Sequence, residues 1–200
     1  MDLMHRLPVM FLTLVMLCGA SIVSADDTYT VDVVHTHVGF TVRHLMINKV
    51  RGKFGKFSGT ITYDEHDLTK SGMRGTIEVA SIDTDHAKRD ADLRSPNFFD
   101  AARYPTITFA STGVEKHGEG YVLIGQLTMR DTTKEIRLPF AITGKIQDPW
   151  GKTRIGFEAS FRINRQEFGV SYSKTMDNGG LIVGNTVHIT FAGEAVKQSS

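Results

Sequence analysis

Two imidazoles one residue apart, in His35-Thr36-His37, are the nearest approach in this chain to a metal-binding pair. On a strand they share a face with Cα atoms about 6.5–7 Å apart, a spacing that can grip one ion. A third ligand is not evident. His44 falls on the opposite parity of an unbroken strand, and His66, His86, His117 and His188 are dispersed. Hydrogen-bonded or surface histidines are therefore expected, and no metal site. Nucleophilic catalysis has less to work with, because there is no Gly-x-Ser-x-Gly elbow and the single cysteine, Cys18, lies in an N-terminal apolar run. Asp83, Asp85, Asp90 and Asp92 belong to one short charged stretch that reads as a solvated face, and nothing selects an acid pair among them. No catalytic residue and no enzymatic activity are expected.

Binding chemistry has more candidates. The run Lys49-Val-Arg51-Gly-Lys53-Phe-Gly-Lys56-Phe57 alternates basic and apolar residues and could draw an anionic lipid headgroup, although a solvated strand face is the plainer reading. Arg89, Arg94 and Arg103 could receive a phosphate or carboxylate. Pairing with neighbouring aspartates accounts more simply for the first two. Net charge is only +1, which argues against nucleic acid as a partner.

The elements that would position these groups are mostly strands. Apolar residues recur with period two in Tyr29/Val31/Val33, Val38/Phe40/Val42, Phe57/Gly59/Ile61/Tyr63, Met73/Gly75/Ile77/Val79 and Ile107/Phe109. The pattern continues in Leu123/Gly125/Leu127/Met129, Ile136/Leu138/Phe140/Ile142, Ile155/Phe157/Ala159/Phe161/Ile163 and Val187/Ile189/Phe191. The alternate positions Glu135, Arg137, Thr143, Arg154, Glu158 and Arg162 are polar. Turns fit at Asp64 to Gly72, Lys116 to Gly120 and Gln147 to Gly151. Eight or nine strands with one dry face predict an all-β antiparallel barrel in preference to a sandwich, since closure removes exposed edges.

Such a barrel has room for side chains or one small ligand. The small inward residues Gly59, Gly75, Gly125 and Ala159 are expected to leave it hollow. The expected wall comprises Phe40 and Val42, Phe57, Ile77, Ile107 and Phe109, Leu127 and Met129, Phe140 and Ile142, then Phe157, Phe161 and Ile163. One short helix near residues 85–95 interrupts the strands: Asp83 or Thr84 can cap it, Asp85/Arg89 and Asp90/Arg94 sit at i,i+4, and Pro96 stops it. Phe98, Phe99 and Tyr104 follow, which makes the segment a lid with an aromatic foot on the barrel mouth.

The N-terminus reads as a secretory leader. Leu7 to Leu17 is apolar, too short to span a bilayer, and Val23-Ser24-Ala25 supplies small residues for cleavage after Ala25. Leu17 before Cys18 argues against lipidation. Residues 1–25 are thus expected to be a cleaved signal peptide and 26–200 a single exported domain without cysteine and without stable membrane insertion.

The chain resembles the YceI-like proteins, bacterial periplasmic lipocalin-like barrels associated with polyisoprenoid binding. The likeness runs through Tyr29-x-Val-Asp32, His37-Val-Gly-Phe40, Val42-Arg-His-Leu45, Ser81-Ile-Asp-Thr84, Leu93-Arg-Ser95, Phe98-Phe-Asp100, Tyr104-Pro105, Phe109-Ala-Ser-Thr112, Gly125-x-Leu-Thr128 and Phe168-Gly169. Asp131, Tyr172 and Asn185-Thr186 depart from the family's usual glycine, tryptophan and acidic pair. The resemblance implies an eight-stranded lipocalin-like barrel capped by a helix. It also implies a hydrophobic tunnel holding a long-chain isoprenoid, polyprenyl or quinone-like lipid as an amphiphilic ligand, with no other cofactor, and a homodimer in some members. The implied role is binding or transport in the periplasm. The alternatives are a metal-dependent or other enzyme acting on such a lipid, with His35 and His37 at its metal, or an interaction module using the barrel exterior.

Overall fold

The structure, a computed structural model, describes residues 27–175, 177 and 179–199. The expected leader and Cys18 lie outside the described residues. Among the described residues eleven strands follow one another: β1 (Asp27–Val31), β2 (His37–His44), β3 (Asn48–Phe54), β4 (Phe57–Tyr63), β5 (Gly72–Glu78), β6 (Ile82–Asp83), β7 (Thr106–His117), β8 (Gly120–Met129), β9 (Thr132–Gln147), β10 (Thr153–Asn164) and β11 (Val183–Lys197). One α-helix, α1 (Ala87–Arg94), lies between β6 and β7. All pairings between the named strands are antiparallel, and the order β1-β4-β5-β7-β8-β9-β10-β11 closes on itself through β1 and β11. That is a closed barrel, as the alternation predicts, with the eight strands that the family resemblance implies.

The other three strands exist because β11 outruns its partner. Its 15 residues pair with the five-residue β1 only through Ala195–Lys197, and the stretch from Val183 to Ala192 is left for β2. The β2–β3 hairpin therefore continues the wall beyond β1 and β4, with the short β6 on its far edge. This satisfies backbone groups that a bare overhang would leave as an exposed edge.

Two bulges reset side-chain parity. In β7, Thr112 is extra between the pairs Ser111↔Gly125 and Gly113↔Ile124, so Ile107 and Phe109 face inward before it and Val114 after it. In β9 the register slips at Thr143-Gly144, so that Phe157↔Ile142 gives way to Ile155↔Lys145. Ile146 is thereby turned outward and is 63 % exposed, while Lys145 turns toward the barrel end beside Tyr29 and Tyr63.

The helix begins two residues later than Asp85, and its charges do different work from that expected. His86 is the cap, its Nδ1 accepting from the Arg89 backbone N–H at 3.2 Å. Asp85 instead takes a left-handed turn at φ 58°. Asp90 does not pair with Arg94; it is buried and accepts from Thr84 N at 2.9 Å and Thr84 Oγ1 at 2.5 Å. Arg89 donates to Thr84 Oγ1 and O, and Arg94 to the carbonyls of Ala80 and Ile82. Tertiary docking thus overrides the i,i+4 pattern, because a buried backbone polar group needs a partner more than an exposed ion pair does.

Candidate binding cavity

Inward parity on the eight strands leaves the barrel hollow. A cavity of about 190 Å³ runs between the sheet walls and the loop after α1, and its lining is almost wholly hydrocarbon. Phe40, Phe57, Phe109, Ile136, Phe161 and Ile189 point inward yet remain half-buried, because one side of each faces the empty space. A second hollow of about 50 Å³ lies toward the other end, bordered by Ile61, Tyr63, Leu68 and Val114. Met73, Leu138, Ala159 and Phe191 border both, so they form a waist between them.

The expected wall residues divide accordingly. Phe40, Val42, Phe57, Ile77, Phe98, Phe99, Ile107, Phe109, Leu127, Met129, Phe161 and Ile163 line the larger cavity, whereas Phe140, Ile142 and Phe157 line the smaller. Tyr104 borders neither. Its ring is flanked by the guanidiniums of Arg103 and Arg130 at 5.1 and 5.3 Å, and its hydroxyl donates to Asp131 at 3.3 Å, outside the barrel. The aromatic foot of the lid is therefore Phe98 and Phe99: Phe99 packs edge-on to Phe54 with centroids 6.2 Å apart, and Phe98 packs on Tyr172 at 5.0 Å.

The expectation that inward glycines leave space also divides. Gly75 and Ala159 do border the hollow. Gly125 does not, because the Phe109 ring lies across it: a Cβ there would fall 2.5 Å from Phe109 Cζ and 2.6 Å from the Ala110 carbonyl oxygen. At Gly59 a Cβ would meet Val31 and the Arg74 carbonyl at 3.1 Å.

Among the described residues the cavity wall has one charged member, Arg165, which parity along β10 could have revealed, two positions beyond Ile163. It is 4 % exposed. Nε donates to Gly184 O, Nη1 to Val170 O, and Nη2 to Val183 O and Asn185 Oδ1, at 2.6–3.4 Å. These acceptors are all neutral, and no carboxylate among the described residues reaches it. Burial alone pulls the guanidinium below its usual value. Val170, outside any strand, and Val183, at the very start of β11, border the cavity beside it and escaped the sequence reading.

The opposite end of the barrel is closely packed. Tyr29, Ile155 and Ala195 are completely buried and Tyr63 nearly so, with the two tyrosine rings edge-to-face at 5.9 Å. Lys145 pairs with Glu65 at 2.6 Å across this end, a bond that raises the lysine above its ordinary value.

His35 and His37 do not converge on a common centre. His35 meets Asp32 and Glu194, but the place between the two carboxylates is taken by Arg154 Nη1, 2.7 Å from Asp32 and 3.2 Å from Glu194. Arg154 Nε also binds buried Asp148 at 2.8 Å. Hydrogen bonds from His35 and then Arg154 hold the Asp32 carboxyl well below the usual range, and Arg154 with the N–H groups of Lys152 and Trp150 does the same for Asp148. The group is an ion-pair clasp joining the β1–β2 loop to the β9–β10 hairpin.

A closed antiparallel barrel with a hydrocarbon-lined interior and a short helical lid is a lipocalin-like architecture. The model of the YceI-like domain matches residues 29–195, and the chain belongs to that family. A UPF0312 protein of Photorhabdus laumondii is 39 % identical over 156 residues, 75 % of this chain and 81 % of that one. Among solved structures, Burkholderia cenocepacia BcnA superimposes with a TM-score of 0.72 at 24 % identity, over 84 % of this chain and 99 % of that one. A polyisoprenoid-binding domain from Saccharophagus degradans superimposes with a TM-score of 0.61 at 14 % identity, over 85 % and 98 % of the two chains, a likeness of fold.

Proposed function

We propose that this protein is an exported, periplasmic carrier that holds one long-chain isoprenoid lipid in the barrel, with its polar end at Arg165. The observation that carries this reading is the hydrocarbon-walled cavity of about 190 Å³ with a single charged residue in its wall. Burying hydrocarbon contributes about 0.8 kcal/mol per CH₂, and an apolar cavity of ~150 Å³ takes a six-carbon ring, so filling the cavity of about 190 Å³ supplies roughly 5–6 kcal/mol gross before ordering losses, and more as the walls part around a longer chain. No catalytic group is needed for tight binding. A buried guanidinium whose acceptors are all neutral favours an electronegative oxygen on the ligand, such as a phosphate or quinone carbonyl. The YceI-like family, the polyisoprenoid-binding neighbour of the same fold and the leader read at residues 1–25 support the reading.

Protein purified from its native periplasm, extracted with organic solvent and examined by mass spectrometry, is expected to release one amphiphile with an extended hydrocarbon chain per protein. Protein that contains no lipid and takes none up from vesicles would refute the reading.

A further inference from the structure

Among the described residues, the tip of the β2–β3 hairpin is the place where apolar residues are exposed beside unpaired cations. Leu45, Met46 and Ile47 are 36, 45 and 86 % exposed. Leu45 and Met46 both take left-handed backbone, φ 51° and 63°, in a turn closed by Ile47 N–H to His44 O at 3.2 Å. Glycine or asparagine would hold such a turn more cheaply, so side chains of this kind are kept at some conformational cost. Leu181 and Ile182, half-buried, adjoin the tip through Leu45 N–H to Ile182 O at 2.9 Å.

Below the tip the hairpin has two unlike faces. Arg43 stands opposite Lys49, and Arg51 and Lys53 follow on the same outward parity. The neighbouring strands extend this face with His188 beside Thr41 and Arg162 beside His188. Lys53 pairs with Asp83 at 3.7 Å. Among the described residues Arg43, Lys49, Arg51 and Arg162 have no carboxylate partner, and Arg43 donates only to the Met46 carbonyl. The inward face carries Phe40 and Val42, which line the cavity together with Val183 and Val187 of β11.

Apolar side chains projecting past a face of unpaired cations match the layering of an anionic bilayer, with phosphates outside and hydrocarbon beneath. The other exposed apolar patch, Val33, Val34, Ile146 and Trp150, does not match. Asp32, Asp148 and Glu194 lie at its base, around an arginine they already engage.

We propose that the β2–β3 hairpin docks the protein on an anionic membrane surface: Leu45, Met46 and Ile47 enter the headgroup region while Arg43, Lys49 and Arg51 hold lipid phosphates. This seats the Val42 and Val183 side of the cavity at the bilayer. The inference rests on the carrier reading for its purpose and is tested separately from it. Full-length mature protein is sedimented with vesicles of phosphatidylglycerol and phosphatidylethanolamine, and with vesicles of phosphatidylcholine alone. Binding is expected to the anionic vesicles only and to fall steeply with salt. Lys49→Glu and Arg51→Glu are each expected to lower partitioning at least about fivefold, given an attraction of ~1 kcal/mol per cation near the surface. Ile47→Asp should do likewise, while Trp150→Asp leaves binding unchanged and all four variants keep their bound lipid and Tm. Absence of binding to anionic vesicles, equal binding to neutral ones, or release by Trp150→Asp but not by the tip variants overturns the proposal. An extract free of lipid from protein that still sediments with anionic vesicles would remove the carrier reading and leave the docking in place.

Discussion

Replacing Ala159 with leucine tests whether the barrel is hollow, because the hollow and the packed alternatives predict opposite signs. Ala159 stands at the waist, bordering both cavities, and is half-buried only because it faces them. Leucine adds three carbons there. If they enter empty space, each gains about 0.8 kcal/mol on folding, or ~2.4 kcal/mol together. Ordering the leucine side chain costs roughly 0.5–1 kcal/mol, which leaves a net gain of about 1.5 kcal/mol in the lipid-free protein. For a domain of this size that is a rise in Tm of roughly 3–6 °C. The same three carbons displace about three carbons of a bound chain, so the lipid loses ~2.4 kcal/mol and its Kd rises roughly 50-fold. The assay is calorimetry of delipidated protein, wild type against Ala159→Leu, with titration of a fluorescent prenyl lipid on both. Overpacking of a filled core would instead lower stability by about 1–3 kcal/mol. A fall in Tm with unchanged lipid affinity would refute the argument from the cavity.

Three further outcomes follow from the site. Gly125→Ala drives a Cβ against Phe109 and the Ala110 carbonyl, so it is expected to destabilise the fold by roughly 1–3 kcal/mol in denaturant titration. Arg165→Gln strands carbonyls of Val170, Gly184 or Val183 at about 1–3 kcal/mol each, and lipid uptake by the folded fraction should cease to distinguish charged from uncharged heads. Arg154→Gln removes a partner that lowers the Asp32 and Asp148 carboxyls. Because those folded values are depressed, the stabilisation is complete above the ordinary carboxylate value near ~4 and is lost as pH falls below it. The deficit of the variant against wild type, followed by thermal melts, should therefore be full at pH 7 and shrink below about pH 4.

Parity carried most of the fold and much of the wall into view. On β10 it runs unbroken, so Phe157, Phe161 and Ile163 fall inward as expected, and the same rule extends to Arg165. Apolar alternation does not encode a bulge, and the two at Thr112 and Thr143-Gly144 turn Val114 inward and Ile146 outward. Nor does it encode strand length mismatch: the β2–β3 extension depends on how far β11 overshoots β1, a tertiary quantity. Tyr104 illustrates a different limit. An aromatic near a lid reads as part of the apolar foot, but its hydroxyl and flanking arginines draw it to the wet side. The helix misleads in the same way, since Arg89 and Asp90 find better partners in Thr84 than in Asp85 and Arg94.

Packing behind Tyr29, Tyr63 and the Lys145–Glu65 pair would make the barrel of the proposed carrier a dead-end berth. A lipid held there as proposed would back in tail first and come out head first, reversing without turning round. Such a berth is also a gauge: a chain shorter than its depth leaves a void at the bottom, and a longer one holds its head clear of Arg165. Two lipids with the same headgroup and different tails would then be sorted by how well their heads sit.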